Sequence, residues 1–561
     1  MRKIKLIIFM ALTLIFGVTL SSCNLILRDD DIVLRKEEKS FVNYSNEYTV
    51  NSDKLSIYYV NDSVIPFVDV ETFFRELSGL FDYENMSFSK SSFLEQATLR
   101  HDGLRINFNW NYEYISADDE LAFNVTKNTE ATDYSRYFKA ENSYINMNYY
   151  IPLKFELKEL GYNFYYRENK VLVPFSIMNF LFCSVNYYNL HFTADGIYGE
   201  YLFVYGKNPH VDDVYKKEYI GKIVTEEERL DNYRLLKFMM KYYYGLGDKT
   251  EELEKYKDAF LSTDPEIYTD AYYRFINLYL NELHSAVVRT PYTFDYSKLD
   301  RTKYISSEEA KASNTINSLI DAKNKSSHAQ DKLPIVRFYD YLAIIHINEF
   351  KTGTNEELYN SDGSVKADAY LYDTYFLARY VFDEIKRHPE VTDVIIDLAN
   401  NGGGNGAAMI KLLGFFTDDE VLYSSFNYLN NRIISTGYKV DLKGDDSYSK
   451  KSYAGDYNYY ILASEYTYSA ANIFTGTCVN MGIATLIGNR TGGGACAILP
   501  VLMPDGTSFQ ISGPTQLVIL KNKDTFEYQS VEKGVDIDQY NIIPYEKFYD
   551  DEYLIKFITE R

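Results

Sequence analysis

Tryptophan occurs once and cysteine four times in 561 residues, histidine only seven times, and nowhere do 18 apolar residues run together. So few cysteines exclude a scaffold stapled by disulfides. Cys183, Cys478 and Cys496 show neither CxxC nor Cys/His ligand spacing, so we expect no metal, no cofactor and at most one disulfide. Cys478 falls inside an apolar helical pattern and reads as a buried thiol. The missing long apolar run excludes a helix that spans a membrane. Positive charge is short as well: 58 Lys and Arg against 80 Asp and Glu leave a net charge of −22, which repels a phosphate backbone and excludes a nucleic-acid partner.

What is present describes a folded, multi-domain chain, with 46% hydrophobic and 25% charged residues and length for three or four units. "MRKIK" and the 15 apolar residues of "LIIFMALTLIFGVTL" read as a secretory signal over 1–22. It ends in "LSSC", which resembles the bacterial lipobox and implies cleavage before Cys23, lipidation of that Cys and an extracytoplasmic, membrane-anchored protein; an ordinary signal followed by a chance Cys is the alternative. Residues 23–50 are charged and aperiodic, as a tether is. Residues 51–205 carry short alternating runs such as "LRINFNWNY" and predict a mainly β α+β domain. Apolar spacings of three and four predict helices over 212–300, with Asp264-Pro265 as a helix start. Residues 301–333 read as a polar linker with a helical pattern. From 334 to 561 strand and helix alternate, which predicts an α/β layer with sites at the carboxyl ends of strands.

Three features of the chain carry chemistry. Ser469, in "EYTYSAANIF", sits where a strand runs into a helix; Ser is a favoured N-cap, yet the same rigid turn beside helix N–H groups also suits a nucleophile. The run "VIIDLANNGGGNG" brings a strand into three glycines, which lets backbone N–H groups approach a ligand. No GxxxxGK[ST] pattern is present, so an oxyanion donor loop fits better than a phosphate loop, with a plain turn as the alternative. His284, in "LNELHSAVV", closes an amphipathic helix and is a candidate base; His346 and His388 are rivals, the latter explained equally by a helix dipole.

The ordered set "VIIDLANNGGG", "TYSAANIF", "ATLIGNRTGGG", "MPDGTSFQIS" and "VEKGVDID" resembles the catalytic domain of the C-terminal processing (tail-specific) protease and tricorn-core superfamily of serine peptidases, over roughly residues 225–545. The resemblance implies a crotonase-like domain of stacked β-β-α turns over 334–561, a helical amino-terminal subdomain carrying the base, and peptide cleavage through a serine acyl-enzyme. Its nucleophile falls on Ser469. In the Ser-Lys branch a Lys stands 25 residues later, and here position 494 is Gly, so the pattern is closer to the tricorn-like branch. That branch implies His284 as base, with Ser285 and Glu532 orienting it, and an oxyanion hole from the N–H of Gly403, with Gly402 or Gly404 as rivals, and of Ala470. Only about 42 residues separate "VVRTP" from "LPIVRF", too few for the PDZ domain of many relatives; residues 51–205 are then the candidates for recognising substrate. Ala399, Asn472 and Ile537 depart from the family's Arg, acidic residue and Pro. The expected function is a lipid-anchored serine peptidase acting on peptides or proteins. The alternative is an inactive relative that binds peptide or glycan.

Overall fold

The computed structural model describes residues 32–146, 152–201, 214–330, 333–448, 451–522 and 524–560; Cys23 and the signal segment lie outside them. Among the described residues the strands form four sheets. The five-stranded sheet that organises the carboxyl-terminal half runs, edge to edge, Val336–Tyr339, Leu342–His346, Asp393–Asp397, Asn458–Ala463 and Ala484–Gly488. The first pair is antiparallel and the rest are parallel. Successive side chains of a strand point to opposite faces, and strand Asp393–Asp397 shows it: Val394 and Ile396 enter one core, Ile395 the other. Helices Thr374–Ile385, Gly406–Leu413 and Ala470–Asn480 cover the first face. The expectation of an α/β layer with a mostly parallel sheet is met.

The second face is covered by helices Asp551–Thr559 and Ser307–Lys325. The latter lies within the polar segment expected over 301–333 and packs it onto the sheet. Thr315, Leu319 and Ala322 are its buried positions, a stripe at i, i+4 and i+7 on an otherwise polar helix.

A seven-stranded sheet supplies the other wall of the site. Strand Ser508–Asn522 is its spine and pairs with Ala286–Arg289, Val421–Asn427, Cys496–Leu502 and Glu527–Ser530. Strand Phe138–Asn146, expected within the amino-terminal unit, adds to Arg432–Val440 of this sheet instead. The tether expected over 23–50 is corrected where its residues are described. Residues Leu34–Asn43 form a strand between Lys54–Val60 and Ile197–Tyr201, and its charges form exposed pairs such as Lys36–Glu38 and Lys54–Glu38. Charge alone therefore misread a strand with one wet face.

The rest of the amino-terminal half holds β-strands and helices. Helix Glu226–Tyr242 starts on a capping box of Thr225 and Glu228, and helix Pro265–Tyr272 starts on Asp264. A single hydrophobic cluster joins these helices to the amino-terminal sheets and to Leu499–Ile511 of the spine region. Cys183, Cys478 and Cys496 are buried and free; burial pushes the Cys478 thiol well up, so it is inert at neutral pH.

Candidate active site

Two parallel neighbours deliver the first half of the site. Strands Asp393–Asp397 and Asn458–Ala463 pair with Asp397 opposite Leu462, so the glycine turn after one and the Ser469 turn after the other leave the sheet side by side. Hydrogen bonds sew them together. Thr467 Oγ1 donates to Leu398 O at 2.8 Å, Ser464 Oγ to Ala399 O at 2.5 Å, and Tyr468 N to Asn401 O at 3.1 Å.

Ser469 then takes φ 54° and ψ −126° at the N-cap position of helix Ala470–Asn480, a region that costs a residue with a Cβ about 1–3 kcal/mol. Its hydroxyl caps no helix N–H. The cap expectation thus holds for position and fails for bonding, because positive φ swings the side chain away from the first turn. Its N–H donates to Gly493 O at 2.9 Å.

Gly403, at φ 112°, lies against it: a Cβ on Gly403 would come within 2.7 Å of Ser469 Cβ and 3.0 Å of Ala470 N. The turn is held by Phe350, which donates its N–H to Gly403 O at 2.9 Å and accepts from Asn405 N at 2.7 Å. Gly403 N–H, the first-choice oxyanion donor in the sequence, is already given to Asn401 Oδ1 at 2.8 Å. The N–H groups of Gly402, Gly404 and Ala470 have no acceptor among the described residues, and all three residues line a cavity of about 960 Å³ together with Ser469 and His284.

His284 arrives from the other wall. The preceding helical segment ends in a π-helical stretch, Tyr273–Tyr279, and Asn281 at φ 49° reverses the chain, so His284 stands in a turn rather than at a helix end. The next residues, Ala286–Arg289, pair with Ser508–Gln510. His284 is 3% exposed. Neither ring nitrogen has a hydrogen-bond partner, so no bond joins it to Ser469. Burial pulls its pKa from 6.5 down to about 4, leaving the ring neutral at neutral pH. Tyr468 packs edge to face on it at 4.9 Å between ring centres.

Tyr468 also explains Gly494. At φ 71°, a Cβ there would meet Tyr468 Cζ at 2.2 Å and Oη at 2.6 Å, so the Tyr468 ring fills the space where a side chain at 494 would begin. Ser285 and Glu532 are not joined. Ser285 Oγ donates to Glu282, while Glu532 Oε2 accepts from Ala495 N at 2.7 Å and Gln516 Nε2 at 3.4 Å. Asn472, standing where the family has an acid, is buried and donates to Val531 O at 2.9 Å while accepting from Thr491 Oγ1 at 2.7 Å; it secures the Glu532 loop. His346 instead bonds Asp397 at 2.9 Å, and His388 bonds Glu390 at 3.0 Å. Glu282 and Tyr468 were missed in the sequence. Glu282's signal was its place two residues before His284, and Tyr468's was its place next to Ser469.

The cavity is also lined by Thr132, Tyr134 and Tyr187 of the amino-terminal unit, and Tyr187 Oη donates to Ile498 O at 3.1 Å.

Residues 341–537 match the model of peptidase family S41, which bears out the superfamily resemblance read from the motifs. Among solved structures, a photosystem II D1 C-terminal processing protease is 18% identical over 35% of this chain and 41% of its own, with a TM-score of 0.25. A lipoprotein from Streptococcus agalactiae is 12% identical over 59% of this chain and 96% of its own, TM-score 0.35. The tricorn protease is 17% identical over 44% of this chain and 19% of its own, TM-score 0.22. The chain therefore spans less than half the length of the first and the last.

Proposed function

From the match of residues 341–537 to the model of peptidase family S41, we propose that the protein is a serine peptidase that cleaves peptide bonds through an acyl-enzyme on Ser469, with His284 as general base. The observation that carries this reading is Ser469 itself: a non-glycine residue at φ 54° whose hydroxyl caps nothing, packed against Gly403, on the same cavity as a buried neutral His284.

The chemistry follows from those groups. Ser469 Oγ attacks the scissile carbonyl while its proton passes to His284; the oxyanion is held by Ala470 N–H with Gly402 or Gly404 N–H, since Gly403 N–H is engaged. His284 then gives the proton to the leaving amine, and water repeats the sequence on the ester. A small approach of the His284 ring on substrate binding completes the array, as catalytic hydrogen bonds often tighten only in the complex. The domain is read as crotonase-like and tricorn-like, with Thr132, Tyr134 and Tyr187 helping to form the substrate wall in place of a PDZ domain.

The test is fluorophosphonate labelling of residues 24–561 with mapping of the adduct. We expect modification of Ser469 and none in Ser469→Ala; an unlabelled wild type or equal labelling of the variant rejects the mechanism. A second reading, a peptide- or glycan-binding relative that no longer cuts, draws on the unpartnered His284 ring, and the same experiment separates the two. Lipidation at Cys23 is proposed from the "LSSC" motif. Among the described residues no helix is long and apolar enough to cross a membrane. A Cys23→Ser protein that stays in the membrane fraction counts against the anchor.

A further inference from the structure

A His base needs a group that fixes its ring and stabilises the imidazolium formed as it accepts the serine proton. The superfamily resemblance puts that duty on Ser285 and Glu532, and the hydrogen bonds distribute it otherwise. Ser285 Oγ donates to Glu282 Oε1, and Glu282 Oε2 also receives His284 N–H at 2.7 Å. Glu282 Oε1 further accepts from Ser512 N at 3.4 Å on the spine strand. One carboxylate therefore binds both residues of the His284-Ser285 pair and ties their turn to the sheet.

We propose that Glu282 is the positioning acid of this site: it holds Ser285 Oγ as donor, so that the Ser285 lone pairs accept the His284 ring N–H once the base takes up its proton. This rests on the reading of Ser469 and His284 given above.

The surroundings fit that use. Tyr468, Tyr244 and Cys496 all sense the Glu282 charge, so the carboxylate faces the groups packed around the base. Burial raises the Glu282 pKa, opposed by its bonds to Ser285, His284 N–H and Ser512. Glu532 is occupied elsewhere: its Oε2 receives Ala495 N and Gln516 Nε2, which fixes the Gly494-Ala495 turn. The two carboxylates thus divide between the two walls. A loop-capping role alone would also use the His284 N–H bond, but it would not require the charge or the Ser285 hydroxyl.

The experiment follows the His284 ring by NMR in protein labelled with 13C-ε1 histidine, as wild type, Glu282→Gln, Ser285→Ala and Glu532→Gln, alongside kcat and KM against pH on a fluorogenic peptide. Removing a nearby negative charge disfavours the imidazolium, so Glu282→Gln is expected to lower the His284 pKa by about one unit and kcat by about 10- to 100-fold with KM changed less than about twofold. Ser285→Ala should lower the pKa in the same direction, and Glu532→Gln should move it less than either. If Glu282→Gln leaves the titration in place, or Glu532→Gln moves it more, the assignment is overturned. A wild type that neither cleaves nor labels defeats the peptidase reading only, because the ring titration still decides the positioning role. Should Glu282→Gln unfold, Ser285→Ala decides alone: an unmoved titration there rejects the relay.

Discussion

Ser469 and His284 face one cavity from opposite kinds of support. The Ser469 wall is over-determined: its N–H, the preceding Tyr468 N–H, the Thr467 and Ser464 hydroxyls and the buried Thr491–Asn472 pair all have partners. The His284 wall supplies a turn tied by Glu282, and the imidazole it presents is buried with both nitrogens bare. A buried unpartnered polar group costs roughly 1–3 kcal/mol. The difference teaches where strain is stored. The backbone strain at Ser469 is stabilised by its neighbours, whereas the ring of His284 is left unsatisfied by its own.

The sharpest way to break the stronger wall is to add one methyl group. In Gly403→Ala the new Cβ overlaps Ser469 Cβ at 2.7 Å and Tyr468 O at 2.9 Å, and φ 112° is strained for alanine. Backbone on both sides is clamped, by Phe350 and by Gly493, so the clash cannot relax cheaply. We expect fluorophosphonate labelling to fall by about 100- to 1000-fold, the range seen when one oxyanion donor is lost, with a lowered melting temperature. Labelling within threefold of wild type means that the turn is not packed on the nucleophile.

The two walls were also unequally legible in the sequence. The strand-to-helix turn at Ser469 and the three-glycine turn are local features, so residue type and spacing sufficed to find them. The committed N–H of Gly403 was hidden, because it depends on how the Asn401 side chain folds back. Whatever crosses between sheets was hidden too: strand Phe138–Asn146 joins a sheet otherwise built about 150 residues and more downstream, and no periodicity reports a partner. The Tyr468 ring over Gly494 joins two loops that meet only in the fold. The Glu282–Ser285 link is local, yet a carboxylate beside a turn is commonplace, and only its bonds distinguish it from Glu532.

A smaller effect sharpens the comparison from the His284 side. The folded ring has its pKa lowered to about 4, against 6.5 for an unfolded chain. Between those values the unfolded state binds a proton that the folded state refuses, so the stability contributed here is full above pH 6.5 and is lost as pH falls toward 4. The size is about 3 kcal/mol. Other buried groups titrate in the same window with the opposite sign, among them Asp231, raised to about 6 by burial, so the wild-type curve alone is ambiguous. The quantity to measure is the difference in unfolding free energy between His284→Leu and wild type, by urea denaturation from pH 7 to pH 4. Removing the bare imidazole abolishes labelling by the reading above, yet the leucine protein should hold its own at pH 7 and gain on the wild type by about 3 kcal/mol as the medium is acidified. A difference that stays flat with pH means that the ring is already partnered or wet, and the two walls are then built alike.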